Sequence, residues 1–147
     1  SRDDEGSATF DMLSNVLDEI ESLLKQGEEI AAKQPDALKI KYQEKVAALF
    51  DNKRGLDQDR LAQEIVLLAT KVDVKEETDR LNAHITSART LLREKGRVGR
   101  KLEFLTQEFN REANTLCSKS SDITLTNIGV SLKTAIDQFR EQVQNVE

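Results

Sequence analysis

Two polar stretches hold the side chains with which this chain could do chemistry. The first is Lys75 to His84, KEETDRLNAH. Glu77, Arg80 and His84 recur there at steps of three and four, so a helix puts them on one face. His84 is the sole histidine, the one side chain whose ordinary titration falls near neutrality. A carboxylate such as Glu77 beside it would make an acid/base pair, and the planar fork of Arg80 suits a phosphate. The second stretch is Lys101 to Lys119, KLEFLTQEFNREANTLCSK. Glu108 and Glu112 stand one helical turn apart in line with Lys101 and Lys119, and two carboxylates so spaced can share one divalent cation. Arg111 and Lys101 are candidate holders of phosphate oxygens. Arg100, Gln107, Arg111, Asn114 and Ser118 fall on a separate arc, where Lys, Glu or Ala would form helix better. Both stretches also read as rows of solvated ion pairs, which are common and contribute little.

Between them lies a cluster of cations. Arg89, Arg93, Lys95, Arg97, Arg100 and Lys101 face Glu94 alone over Arg89 to Lys101. The chain as a whole carries a net charge of −5, which argues weakly against nucleic acid as a partner. Its distribution is uneven, with −5 in residues 1–50, +2 in 51–100 and −2 in 101–147. The basic stretch is therefore a local patch on an acidic chain, or else a solvated helix end and loop.

Helices must position these groups. Charged residues make up 33% of the 147, aromatics only 4%, and there is one proline, a composition that suits long helices and disfavours a β-sandwich. Phe10, Leu13, Leu17, Ile20 and Leu24 mark a first helix, with Ser7 or Thr9 as its cap and Pro35 as its end. A second helix is expected over about 36–53, burying Leu38, Tyr42, Val46 and Phe50 and broken by Gly55. A short third helix carries Leu61, Ile65 and Leu68, with Asp57 or Asp59 near its start. A fourth runs from about Lys75 to Glu94, a fifth from the Gly96–Gly99 turn to about Cys117, and a sixth from Asp122 onward. A tight turn there would set the fourth and fifth helices antiparallel, with His84 level with Glu112. The expected fold is an all-α elongated bundle of about six helices with no sheet. The narrow stripe of the first helix points to partners along its length and to self-association. The single Cys117 excludes an internal disulfide and a Cys-rich zinc site. No apolar run approaches a membrane span and no leader opens the chain, so a soluble cytoplasmic protein without membrane contact is expected.

Three strings carry a resemblance: RLAQEIVLLATKVDVKEETDRLNAHI (Arg60 to Ile85), GRVGRKLEFLTQEFNREANTLCSK (Gly96 to Lys119) and LKTAIDQFREQVQNVE (Leu132 to Glu147). They are similar to the C-terminal domain of the YicC/YloC family of bacterial endoribonucleases, whose R-x-x-E-G segment also resembles Arg2 to Gly6. The resemblance covers almost the whole chain, and NRE-x-NT-x-x-SK is its most specific motif. Cys117 stands where Gly or Ala is expected, so no thiol nucleophile is implied. The family's larger N-terminal region has no counterpart in these residues, so the resemblance implies that they are the C-terminal half of a longer protein.

The resemblance implies cleavage of single-stranded RNA, a divalent cation (manganese or magnesium) and a homo-oligomer, specifically a hexamer. Glu64, Glu76, Glu77, Arg80, His84, Lys101, Gln107, Glu108, Asn110, Arg111, Glu112, Asn114, Ser118 and Lys119 match its motif positions. Assigning roles among them is an inference from chemistry, which needs activation of the attacking oxygen, cations for the developing charge and an acid for the leaving oxygen. Glu108 and Glu112 are the expected metal pair, and His84 with Glu77 the expected acid/base. Arg80, Arg93, Arg97, Arg100, Lys101, Arg111, Asn114 and Lys119 are the expected RNA contacts. A helical oligomerisation or protein-interaction scaffold, and an RNA-binding regulator that does not cut, are the competing functions.

Overall fold

A 49-residue helix, α1 (Arg2–Phe50), opens the computed structural model, which describes residues 2–50, 58–71, 73–94, 96–120 and 122–146. After it come α2 (Gln58–Lys71), α3 (Lys75–Arg93), α4 (Gly99–Lys119) and α5 (Ile123–Val143). There is no strand among the described residues, so the fold is all-α as expected, with five helices in place of six. Pro35 accounts for the difference, because it lies inside α1 and does not end it. A proline removes one backbone hydrogen bond and crowds the preceding turn, at about 3 kcal/mol. Helix-forming Ala, Leu, Lys, Glu and Gln on both sides carry the helix through, and α2 packs against α1. Ser7 and Thr9 likewise fall inside α1 and do not cap its start. Gly55 and Asp57 lie outside the described residues.

Four helical segments form the body. The first part of α1 packs on α3 and α5, and α4 packs on the same two helices, so each touches two neighbours around one core. Leu13, Leu17, Ile20 and Leu24 of α1 meet Leu81, Ile85 and Ala88 of α3 in that core. Leu102, Phe109, Ala113 and Leu116 of α4 and Leu125, Leu132, Ile136 and Phe139 of α5 complete it. All are apolar positions three or four apart, the stripe that an amphipathic helix turns inward. The stripe of α1 is thus covered within the chain and needs no second copy to bury it. Beyond the body α1 continues with Leu38, Tyr42 and Val46 half-buried.

Two local devices tie the helices. Asp122 caps α5 as the sequence suggests, its carboxylate accepting from the Leu125 N–H at 3.0 Å. Arg89 of α3 donates to Asp18 and Glu21 of α1 at 2.8 and 3.1 Å. Partial burial works against the Arg89 charge, but these two hydrogen bonds outweigh it and hold the guanidinium above its ordinary pKa. Arg89 therefore belongs to the α1–α3 contact and not to the basic patch.

Candidate functional site: a polar seam between α3 and α4

The turn between α3 and α4 decides which residues face each other. Gly96 adopts φ 134°, a conformation that side-chain-bearing residues rarely take. Val74 and Val98 precede α3 and α4 without a side-chain cap. The helices run back antiparallel, with Gly96 midway in sequence between His84 and Glu108 and between Arg80 and Glu112. Centring the turn on Val98 would have set His84 level with Glu112. The centre at Gly96 moves the register by about one turn. His84 Nε2 faces Glu108 Oε2 at 4.0 Å, and Arg80 Nη1 faces Glu112 Oε1 at 3.7 Å.

His84, Glu108 and Glu112 nevertheless form one cluster. Each offers a ligand atom, and the three atoms lie within 4.8 Å of one another. Their burial differs: Glu112 is 4% exposed, whereas His84 and Glu108 are half-buried. Two carboxylates and an imidazole converging from two helices match the ligand types of a divalent transition-metal site. The His84 ring meets Phe109 edge-on at 6.1 Å between centroids, and Phe109 meets Phe139 in the same way at 5.8 Å. That aromatic stack continues into the core and fixes the imidazole plane from below.

One turn further along the seam, Glu77 does not reach His84 as its acid/base partner. It is buried, and its Oε1 accepts from the Lys119 ammonium at 2.7 Å. The hydrogen bond to Glu77, with lesser help from the charges of Glu76 and Asp73, holds the Lys119 ammonium above its ordinary pKa. Lys119 is thereby committed to a structural pair, and the Glu77 Oε2 atom stays buried without a hydrogen-bond partner. The carboxylate beside His84 is Glu108, not Glu77. Arg80 also reaches Glu76 at 3.7 Å, so its charge is shared between a buried and an exposed carboxylate.

Other predicted contacts lie outside this cluster. Arg93, Arg97, Arg100 and Lys101 are exposed around the turn, and none has a carboxylate partner among the described residues. Lys95 lies outside those residues. Arg111 and Asn114 are exposed on the outer arc of α4. Sequence reasoning passed over Phe104, which is 60% exposed although every other phenylalanine with a described side chain is at least half-buried. Its position off the apolar arc of α4 was the available signal.

Residues 18–147 match the family described as endoribonuclease YicC-like, C-terminal. The chain belongs to this family. It is 39% identical to the "Probable endoribonuclease YicC" of Haemophilus influenzae over 97% of this chain and 49% of that protein. A protein of the same name from Clostridioides difficile is 38% identical over 93% of this chain and 44% of its own length. The chain spans about half the length of the curated relatives it matches. Of the YicC-like motif residues, Glu77, Arg80, His84, Glu108, Glu112 and Lys119 meet on the α3–α4 seam. Glu64 lies apart on α2, 3.9 Å from Arg60.

Proposed function

We propose that this chain is the RNA-cleaving part of a cytoplasmic, metal-dependent endoribonuclease acting on single-stranded RNA. The observation that supports this reading best is the convergence of His84, Glu108 and Glu112 beside Arg80, on a chain that belongs to the YicC-like family. His84, Glu108 and Glu112 are the residues that would hold a divalent cation, with manganese favoured over magnesium because an imidazole joins the carboxylates. Such an ion supplies Lewis-acid stabilisation of charge on a phosphoryl oxygen.

The remaining work falls to side chains. Arg80 is 56% exposed and brings a bidentate donor to the rim of the cluster, where it can meet a phosphate. With Glu108 4.0 Å from its Nε2, a His84 free of metal is the group suited to give or take a proton. Lys119 contributes a fixed positive field and not a moving clamp, because Glu77 holds it. Arg93, Arg97, Arg100, Lys101 and Arg111 form the approach for the backbone, with Asn114 as a neutral donor. The local field of such a lined path outweighs the net charge of −5. Homo-oligomerisation, as the hexamer, belongs to the same proposal; Ile40, Val66 and Leu67 are exposed apolar residues on α1 and α2 that suit subunit contact.

The test is cleavage of labelled single-stranded RNA by this chain and by a full-length relative in manganese, magnesium or chelator. Cleavage is expected with the cation, and its loss in Glu112→Gln with RNA binding retained. His84→Ala separates the two roles of the imidazole: a ligand loses metal affinity, while an acid/base loses rate alone. Full cleavage by the Glu112→Gln, His84→Ala double variant would refute the site.

A further inference from the structure

The α3–α4 seam continues past the cluster toward the turn. One turn from Glu108, it opens into a groove of about 540 Å³ whose lining includes Ser87, Thr90, Leu91, Arg100, Lys101 and Phe104. Pockets of this size accept small planar ligands. Leu91 and the ring of Phe104 give the lining an apolar part, while Arg100 and Lys101 lie nearer the turn along α4. Phe104 keeps 60% of its surface in solvent, although an apolar ring of that size would ordinarily be buried. Arg100 and Lys101 are exposed and lack carboxylate partners among the described residues. Ser87 and Thr90 add hydroxyl oxygens that can accept from an exocyclic amine.

We infer that this groove is a base-binding subsite for single-stranded nucleic acid, with one nucleobase stacked on Phe104 and the neighbouring phosphates held by Arg100 and Lys101. An aromatic platform beside unpaired cations is the arrangement by which single strands are held without regard to sequence, since every base offers a π-face. Charge complementarity selects this occupant: an anionic backbone meets the two cations while the base covers the ring. Phe104 lies four residues from Glu108, about 6 Å along the helix. A strand stacked there therefore passes its backbone over the His84–Glu108–Glu112 cluster. The inference rests on the proposed RNA-cleaving function and adds where the strand lies. It also accounts for selection of single strands, because a base paired within a duplex cannot present its face to the ring.

Phe104→Trp supplies the probe, since the chain has no tryptophan of its own. Its fluorescence should be quenched by a single-stranded oligonucleotide, and much less by an abasic strand of equal length and charge or by a duplex. In a binding titration Phe104→Leu keeps an apolar side chain but loses the stacking face, and should weaken the single strand roughly 5- to 150-fold. Binding of the abasic strand should stay unchanged. Phe104→Leu binding as tightly as the parent, or equal quenching by the abasic strand, would overturn the subsite. If the parent chain still binds and cuts RNA in that case, the proposed function stands without it. If the parent and a full-length relative bind no oligonucleotide at all, both fail and the groove is left to a protein partner.

Discussion

Glu112→Gln is the most informative single perturbation, because metal binding can be read without any nuclease assay. A ligand that binds only the folded chain stabilises it by about 2.7 kcal/mol when present at 100 times its dissociation constant. For a domain of this size each kcal/mol moves the melting temperature by about 2–4 °C, so the parent chain should gain roughly 5–11 °C in manganese. Glutamine keeps the volume of Glu112, which is 4% exposed, but removes a charged member of the three-ligand cluster. Loss of even an outer-shell partner lowers metal affinity by about 10- to 100-fold. A 100-fold drop would put the same manganese concentration near the new dissociation constant. The stabilisation then falls to about 0.4 kcal/mol, a shift on the order of 1 °C. Glu103→Gln is the control: Glu103 is exposed on the same helix and is not in the cluster, so its variant should keep the full shift. Thermal unfolding monitored by circular dichroism, with and without manganese, gives the comparison. A full shift in Glu112→Gln, or equal loss in Glu103→Gln, would refute the cluster as a metal site.

Lys119→Met should destabilise the fold by about 2 kcal/mol in urea unfolding by stranding the buried Glu77 carboxylate, less than the 3–5 kcal/mol of a fully buried pair because Lys119 is 35% exposed. Adding Glu77→Gln should recover part of that loss. The folded-state pKa of Lys119 is raised, so this contribution is fully present below the ordinary lysine value of 10.5 and fades only as pH rises through the raised value; a pH series of unfolding midpoints checks it. Gly129→Ala should destabilise by about 1 kcal/mol, since the new methyl would intrude on Cys117 Sγ and touch Leu116, outweighing the gain in helix propensity. Cys117→Ala in the same chain should reverse the sign, and thermal unfolding of the three variants decides it. Neutralising Arg93, Arg97 and Arg100 together should flatten the salt dependence of RNA binding by about 2 in log–log slope, which a titration over a salt series measures.

The core was legible in the sequence because periodicity reports directly on burial. Leu81, Ile85 and Ala88, and then Leu102, Phe109, Ala113 and Leu116, occupy the inward arcs that their spacing marks out. The same spacing shows which polar residues share a face of one helix, and so grouped Glu77, Arg80 and His84 correctly. It carries no information on what stands opposite. Arg80 and His84 on α3 could each face Glu108 or Glu112 on α4, and a register change of one turn exchanges the partners. Gly96 at φ 134° fixes that register, pairing Arg80 with Glu112 and His84 with Glu108, and leaving Glu77 for Lys119. Pro35 departs from the expected helix end for a related reason: a local helix-breaking rule meets strong helix formers on both sides, which carry α1 through an exposed position. Phe104 shows the same limit from the opposite side. An aromatic off the apolar arc is a signal visible in the sequence, but only the antiparallel approach of α3 gives it a groove with two cations in its lining. The chemistry proposed here therefore depends on the turn more than on any one catalytic side chain. Replacing Gly96 by a residue that resists positive φ should strain the turn and disturb metal binding and strand binding together, without touching a single residue of either site.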